Sequence, residues 1–115
     1  MTGRVDLLAL ADLADPGAVS LTVGAGTGRR EVLVTRAGDQ VRAFVDACPH
    51  AFVPLGDGLA PLLDRQDPRL LVCSFHGARF EAATGRCVSG PCRGKALAPL
   101  AVTVVDGRIV LADPV

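Results

Sequence analysis

Short runs in which apolar and polar residues alternate at every second position recur along this chain, and none continues at helical spacing. Val5 to Leu10 is apolar enough to predict a first strand, followed by the turn signal Asp15-Pro16-Gly17. Val19, Leu21 and Val23 alternate with Ser20 and Thr22, the period of a half-buried strand. Next comes Gly24-Ala25-Gly26-Thr27-Gly28. A glycine run after a strand invites a phosphate-binding reading, but Glu31-Val32-Leu33-Val34-Thr35 is short and β-branched, and the dinucleotide spacing is missing. The run is read as a hairpin loop. Ala37-Gly38-Asp39 turns the chain into a strand from Gln40 to Val45, which delivers Cys48 into a loop.

From Ala51 to Val72 the prolines and glycines Pro54, Gly56, Gly58, Pro61 and Pro68 make the chain mostly irregular. Asp64-Arg65-Gln66-Asp67 marks a polar surface turn, either a docking feature or a longer loop, and Leu70-Leu71-Val72 is a buried strand leading into Cys73. Arg79-Phe80-Glu81 and Arg86-Cys87-Val88 flank Ala83-Thr84-Gly85 as a small hairpin, and Gly90-Pro91-Cys92 closes that region. At the C-terminal end, Leu100 to Val105 and Arg108 to Leu111 flank Asp106-Gly107, the pair that suits a type I′ turn because both central positions need positive φ. The pattern predicts an all-β protein with antiparallel pairing, no long helix and no internal repeat.

Composition narrows the function classes. With 115 residues the chain is one domain, and with no Trp, no Tyr and four Phe its core must be Val, Leu and Ala. Twelve basic and twelve acidic side chains cancel, so there is no positive field for nucleic acid. Arg79, Arg86, Arg93 and Lys95 thicken the positive charge locally, as a solvated face or as a docking patch for an acidic partner. Neither a secretory signal nor a membrane-length apolar segment is visible, so a cytoplasmic protein with reduced cysteines and no membrane is expected.

The candidate chemistry lies in two clusters, Cys48-Pro49-His50 and Cys73-Ser74-Phe75-His76. The chain has two histidines, and each lies within three residues of a cysteine. Zinc sites usually pair like ligands on one knuckle, whereas each loop here mixes one Cys with one His. If the loops face one point, two thiolates can meet one metal and two imidazoles a second, as in an asymmetric two-iron cluster. Cys87 and Cys92 are spaced Cys-x₄-Cys, but the second Cys-x₂-Cys element of an all-Cys ferredoxin is absent. They are read as small hydrophobes in or beside the third loop, with a ligand role or a disulfide as alternatives.

Cys48-Pro49-His50, Cys73-x-x-His76-Gly77-x-x-Phe80, Thr84-Gly85 and Gly90-Pro91 resemble the Rieske iron–sulfur family in order and spacing, over nearly the whole chain. The resemblance implies a Rieske-like fold, with antiparallel base sheets (1–45 and 94–115) and a small cluster-binding subdomain (46–93) formed by two ligand loops. It implies one [2Fe–2S] cluster, with Cys48 and Cys73 on the buried iron and His50 and His76 on the outer one. The expected function is single-electron transfer, without catalysis by this chain, from a reductase to an oxygenase or another redox enzyme. A small Rieske subunit of a larger oxidoreductase and a zinc-stabilised binding module are the alternatives. Phe52 stands where many members have Gly, Ser74-Phe75 replaces a common Pro-Trp, and the gap from His50 to Cys73 is longer than in compact ferredoxins. In high-potential members a disulfide joins the loops, and a Ser and a Tyr donate to the cluster. The matching positions are Val53, Phe75, Ala78 and Phe80, which implies a potential nearer roughly −150 mV than +300 mV.

Overall fold

The computed structural model describes residues 5–24, 29–49, 54–56, 61–74 and 77–112. Among them lie ten strands, one 3-10 turn and no α-helix. They form three antiparallel sheets. The first contains β1 (Val5–Ala9), β10 (Arg108–Leu111) and β9 (Val102–Val105), in the order β1-β10-β9. The second runs β2-β3-β4-β8, from β2 (Gly17–Val23), β3 (Arg30–Ala37), β4 (Gln40–Val45) and β8 (Pro99–Leu100). The third is β5 (Leu70–Val72), β6 (Arg79–Glu81) and β7 (Cys87–Ser89), in chain order.

The second sheet is the middle layer, and the two-residue period of its strands shows why. Val32 and Val34 on β3, with Val41 and Ala43 on β4, share one core with Ile109 of the first sheet. The residues between them, Leu33 and Phe44, point the other way, into a second core with Cys48, Leu71, Cys73 and Phe80. β3 is therefore buried on both faces over Val32–Thr35, which explains its unbroken β-branched and apolar run. Thr35, on the same face as Leu33, is buried and donates its hydroxyl to the Ala82 carbonyl at 3.1 Å, fastening the middle sheet to the third.

Several strand boundaries differ from the pattern by a residue or two, and two of the differences shape the fold. Leu10 belongs to a 3-10 turn (Leu10–Asp12) instead of β1, and the Leu10 and Leu13 carbonyls accept from Arg36 Nη1 at 3.0 and 2.9 Å. The run from Leu100 to Val105 is divided at Ala101, because Pro99–Leu100 pairs with β4 and Val102–Val105 with β10. One apolar run thus crosses from one sheet to the other, which alternation alone does not reveal. The Asp106-Gly107 turn has φ of 50° and 77°, the two positive values the type I′ reading requires.

The polar turn in the 57–69 stretch is tied to its own chain. Arg79 Nε donates to Asp64 Oδ2 at 2.7 Å, and Arg69 pairs with Asp67 at 2.9 Å. Leu63 bridges Leu71, and Val72 N–H donates to the Leu62 carbonyl, so residues 62–64 lie along β5. Both carboxylates are spent on local arginines, which favours the longer-loop reading of the turn over a docking feature.

Gly85 adopts φ +80°, and a Cβ there would lie 2.8 Å from Phe44 Cε1. Gly85→Ala is therefore expected to cost about 1–3 kcal/mol, read as a lower denaturant midpoint at unchanged m-value. The Arg79 hydrogen bond holds the Asp64 carboxyl below the usual carboxylate range. A depressed folded-state value stabilises the fold above the unfolded-state value and is lost as pH falls through the folded one. Asp64→Asn should therefore be slightly less stable than the parent at pH 7, and the two should converge below roughly pH 4. Because the pair is exposed, added salt should shrink the difference.

Candidate metal centre

The first candidate ligand loop leaves the end of β4, where the backbone is held on both sides. Val45 N–H donates to the Ala98 carbonyl at 2.8 Å and Asp46 N–H to the Glu31 carbonyl at 3.0 Å. Cys48 follows, with 0% of its surface exposed. The loop returns to described structure at Pro54–Gly56, where Leu55 is buried in the same core as Cys48. The second loop leaves β5 at Cys73, also 0% exposed. Two backbone hydrogen bonds close it, Cys73 N–H to the Ala78 carbonyl and Gly77 N–H to the Cys73 carbonyl, both at 2.9 Å. Gly77 has φ +72°, the left-handed backbone that glycine supplies without strain.

The two loops are tied to each other through Asp46, whose importance the sequence did not signal. Its side chain is 2% exposed. Oδ2 accepts from the Ser20 hydroxyl of β2, and Oδ1 accepts from the Leu55 backbone N–H at 2.9 Å. The Leu55 carbonyl in turn accepts from Ser74 N–H at 2.8 Å. One buried carboxylate therefore spans the first loop from entry to exit, anchors it to the base sheet and passes the constraint to the second loop. Nothing in the sequence singles out an Asp two residues before the candidate ligand Cys48. Only the placement of Ser20 and Leu55 reveals its use.

A third loop packs over the first two. Gly90 has φ +94°, and a Cβ on it would lie 2.7 Å from Ala78 Cα, so the backbone of this loop presses on the second. Two residues on, Cys92 is 0% exposed, and its Sγ lies 3.4 Å from Cys48 Sγ. Cys87 is buried and turns away, donating to the Ser89 carbonyl at 3.2 Å. Cys48, Cys87 and Cys92 are not joined in disulfides. The reading of Cys92 as a small hydrophobe agrees with its burial, but it missed the contact with Cys48.

Cys48, Cys73, Ala78, Phe80 and Cys92 thus share one dry core. His50 and His76, with Phe52, Val53 and Phe75, lie outside the described residues. Among the described residues no three His, Cys, Asp or Glu side chains converge as a metal site, as expected when both imidazoles are outside that set. The donor chemistry present suits an iron–sulfur cluster: two buried thiols on two loops, each loop cross-braced by backbone hydrogen bonds. Ala78 and Phe80 are fully buried and have no hydroxyl to donate. Of the basic residues, Arg79 is taken by Asp64, while Arg86, Arg93 and Lys95 are exposed.

Two cross-braced loops each bring a buried thiol to one core above an antiparallel base, an arrangement with which an iron–sulfur cluster is compatible. The Rieske [2Fe-2S] domain family matches residues 5–110, and the chain belongs to it. It is similar to ferredoxin CarAc of Metapseudomonas resinovorans, with 33% identity over 74% of this chain and 73% of the relative. Among solved structures it resembles the ferredoxin of carbazole 1,9a-dioxygenase from Nocardioides aromaticivorans IC177, at 25% identity, TM-score 0.74, covering 97% and 99% of the two chains. It also resembles a chain in the complex of reduced oxygenase and oxidised ferredoxin of carbazole 1,9a-dioxygenase, at 27% identity and TM-score 0.76. That match covers 97% of this chain and 94% of the other. The protein binds one [2Fe–2S] cluster and, like the ferredoxins it resembles, is an electron carrier. No helix among the described residues is long and apolar enough to cross a membrane.

Asp46→Ala leaves the buried Leu55 N–H without its acceptor, which should cost about 1–3 kcal/mol. The cluster should also be lost faster on chelator challenge, followed by the decay of visible absorption. Asp46→Asn retains an oxygen for Leu55 and should fall between Asp46→Ala and the parent in both measurements.

Proposed function

We infer that this chain is the ferredoxin of an oxygenase system, receiving single electrons from a reductase and delivering them to a terminal oxygenase. The observation that carries this reading is its similarity to a ferredoxin over most of both chains. The ferredoxin–oxygenase complex among its structural relatives supports the choice of acceptor. A cytoplasmic location accords with that role and with the free thiols of Cys87 and Cys92. The chain works as one domain over 1–115, with 46–93 holding the cluster and 1–45 plus 94–115 forming the base.

In this reading Cys48 and Cys73 hold one iron as thiolates, and His50 and His76 hold the other through imidazole nitrogens. When bound, the cluster takes up and returns one electron at a time. The burial of both cysteines supports their assignment to the inner iron. Two thiolates in place of four leave the site less negative, so the added electron meets less repulsion than in an all-Cys site. Ala78 and Phe80, at the positions of the hydroxyl donors in high-potential members, give the reduced site no such stabilisation. The dry core formed by Leu55, Leu71 and Phe80 keeps water from the thiolate side.

Purified protein should be red-brown and bleached by dithionite. A colourless protein containing zinc would overturn the whole reading. The reduced form should give an electron paramagnetic resonance spectrum whose average g-value lies below that of all-Cys clusters, and His50→Cys or His76→Cys should raise it. The midpoint potential should fall in the lower part of the Rieske range, nearer roughly −150 mV than +300 mV. A value well above zero would exclude the low-potential assignment.

A further inference from the structure

Cys92 stands out because the chemistry above makes no use of it, yet its Sγ lies 3.4 Å from Cys48 Sγ. We propose that Cys92 is a tuning residue for the cluster: its S–H donates to Cys48 Sγ and raises the reduction potential. The proposal rests on the reading of Cys48 as a cluster ligand.

Geometry alone permits either sulfur to donate. Ligation decides the direction, because the thiolate, not the thiol, binds metal, so a ligating Cys48 has no proton to give. Cys92 then supplies the hydrogen. Among the described residues its side chain has no other hydrogen-bond partner, whereas the other third-loop thiol, Cys87, is already committed to the Ser89 carbonyl.

The loop that presents Cys92 is braced. Lys95 N–H donates to the Cys92 carbonyl at 2.8 Å, Arg93 N–H to the Gly90 carbonyl at 3.3 Å, and Cys87 N–H to the Lys95 carbonyl at 2.9 Å. Gly90 sits so close on Ala78 that even a methyl group would not fit. The thiol is therefore aimed at Cys48 by a fixed turn. An S–H dipole pointing at a ligand sulfur stabilises negative charge there, and the reduced cluster is one charge more negative than the oxidised one. Both sulfurs are 0% exposed, so water does not screen the effect. The contact places a donor on a ligand sulfur in a chain whose Ala78 and Phe80 have no hydroxyl.

The test compares cluster-loaded parent, Cys92→Ala and Cys92→Ser proteins by redox titration, together with the infrared S–H stretch. Cys92→Ala should show a more negative midpoint potential and lose one S–H band. Cys92→Ser, which retains a hydroxyl donor, should recover most of the shift. In the parent the lost band should lie at the lower frequency of a hydrogen-bonded thiol. An unchanged potential in Cys92→Ala, or a parent band at the frequency of a non-bonded thiol, overturns the proposal. The infrared measurement on the parent decides the matter even where Cys92→Ala fails to hold its cluster. Cys48→Ala separates the two readings: a variant that retains the native cluster spectrum refutes Cys48 as a ligand, and the tuning role with it. Cluster loss in Cys48→Ala beside an unshifted Cys92→Ala refutes the tuning role alone.

Discussion

The Asp46 carboxylate is the constraint on which the arrangement of this molecule turns. It accepts from Ser20 in the base sheet and from the Leu55 backbone, and Leu55 accepts from Ser74 in the second loop. Those three links join the base sheet and both candidate ligand loops. A buried carboxylate is costly unless its oxygens are satisfied, and both oxygens here have partners. That cost makes the arrangement specific. Any displacement of Leu55 strands a buried polar group, so the loop that begins at Cys48 has little freedom in where it ends.

The middle sheet supplies the rigidity behind that constraint. β3 and β4 place one set of side chains against the first sheet and the alternate set beneath the loops. Phe44 reaches across to lie against Gly85, and Leu97 N–H donates to the Gly85 carbonyl, so the third sheet rests on the second without a gap at that point. An electron carrier gains from such stiffness, because a site that moves little on gaining an electron reorganises little. The third loop completes the enclosure, with Gly90 against Ala78 and Cys92 against Cys48.

The low-potential expectation and the proposed Cys92 donor act in opposite directions on one quantity. The absent hydroxyls at Ala78 and Phe80 remove two sources of stabilisation for the reduced state. A thiol donor is weaker than a hydroxyl, so Cys92 offsets part of that loss and leaves the low-potential assignment in place.

Much of this protein was legible in its sequence, because the relevant signals are local. Alternation located the strands of the base sheets, and Asp106-Gly107 specified its turn because few residue pairs tolerate two positive φ values. The mixed Cys and His pairing of the two loops pointed to two irons over one zinc, and the family match agrees. What stayed hidden depends on which distant residues meet. The division of the Leu100–Val105 run between two sheets follows from the partners β4 and β10, not from its composition. Asp46 carried no signal in the sequence, and Cys92 read as a small hydrophobe, until folding set Leu55 and Cys48 against them. Sequence by itself determined the candidate ligand types and the strands that lead into their loops, since both rest on residue identity and short spacing. Only the tertiary structure decided which side chains brace the site, because a hydrogen bond across 9 or 44 positions leaves no periodic trace in the chain.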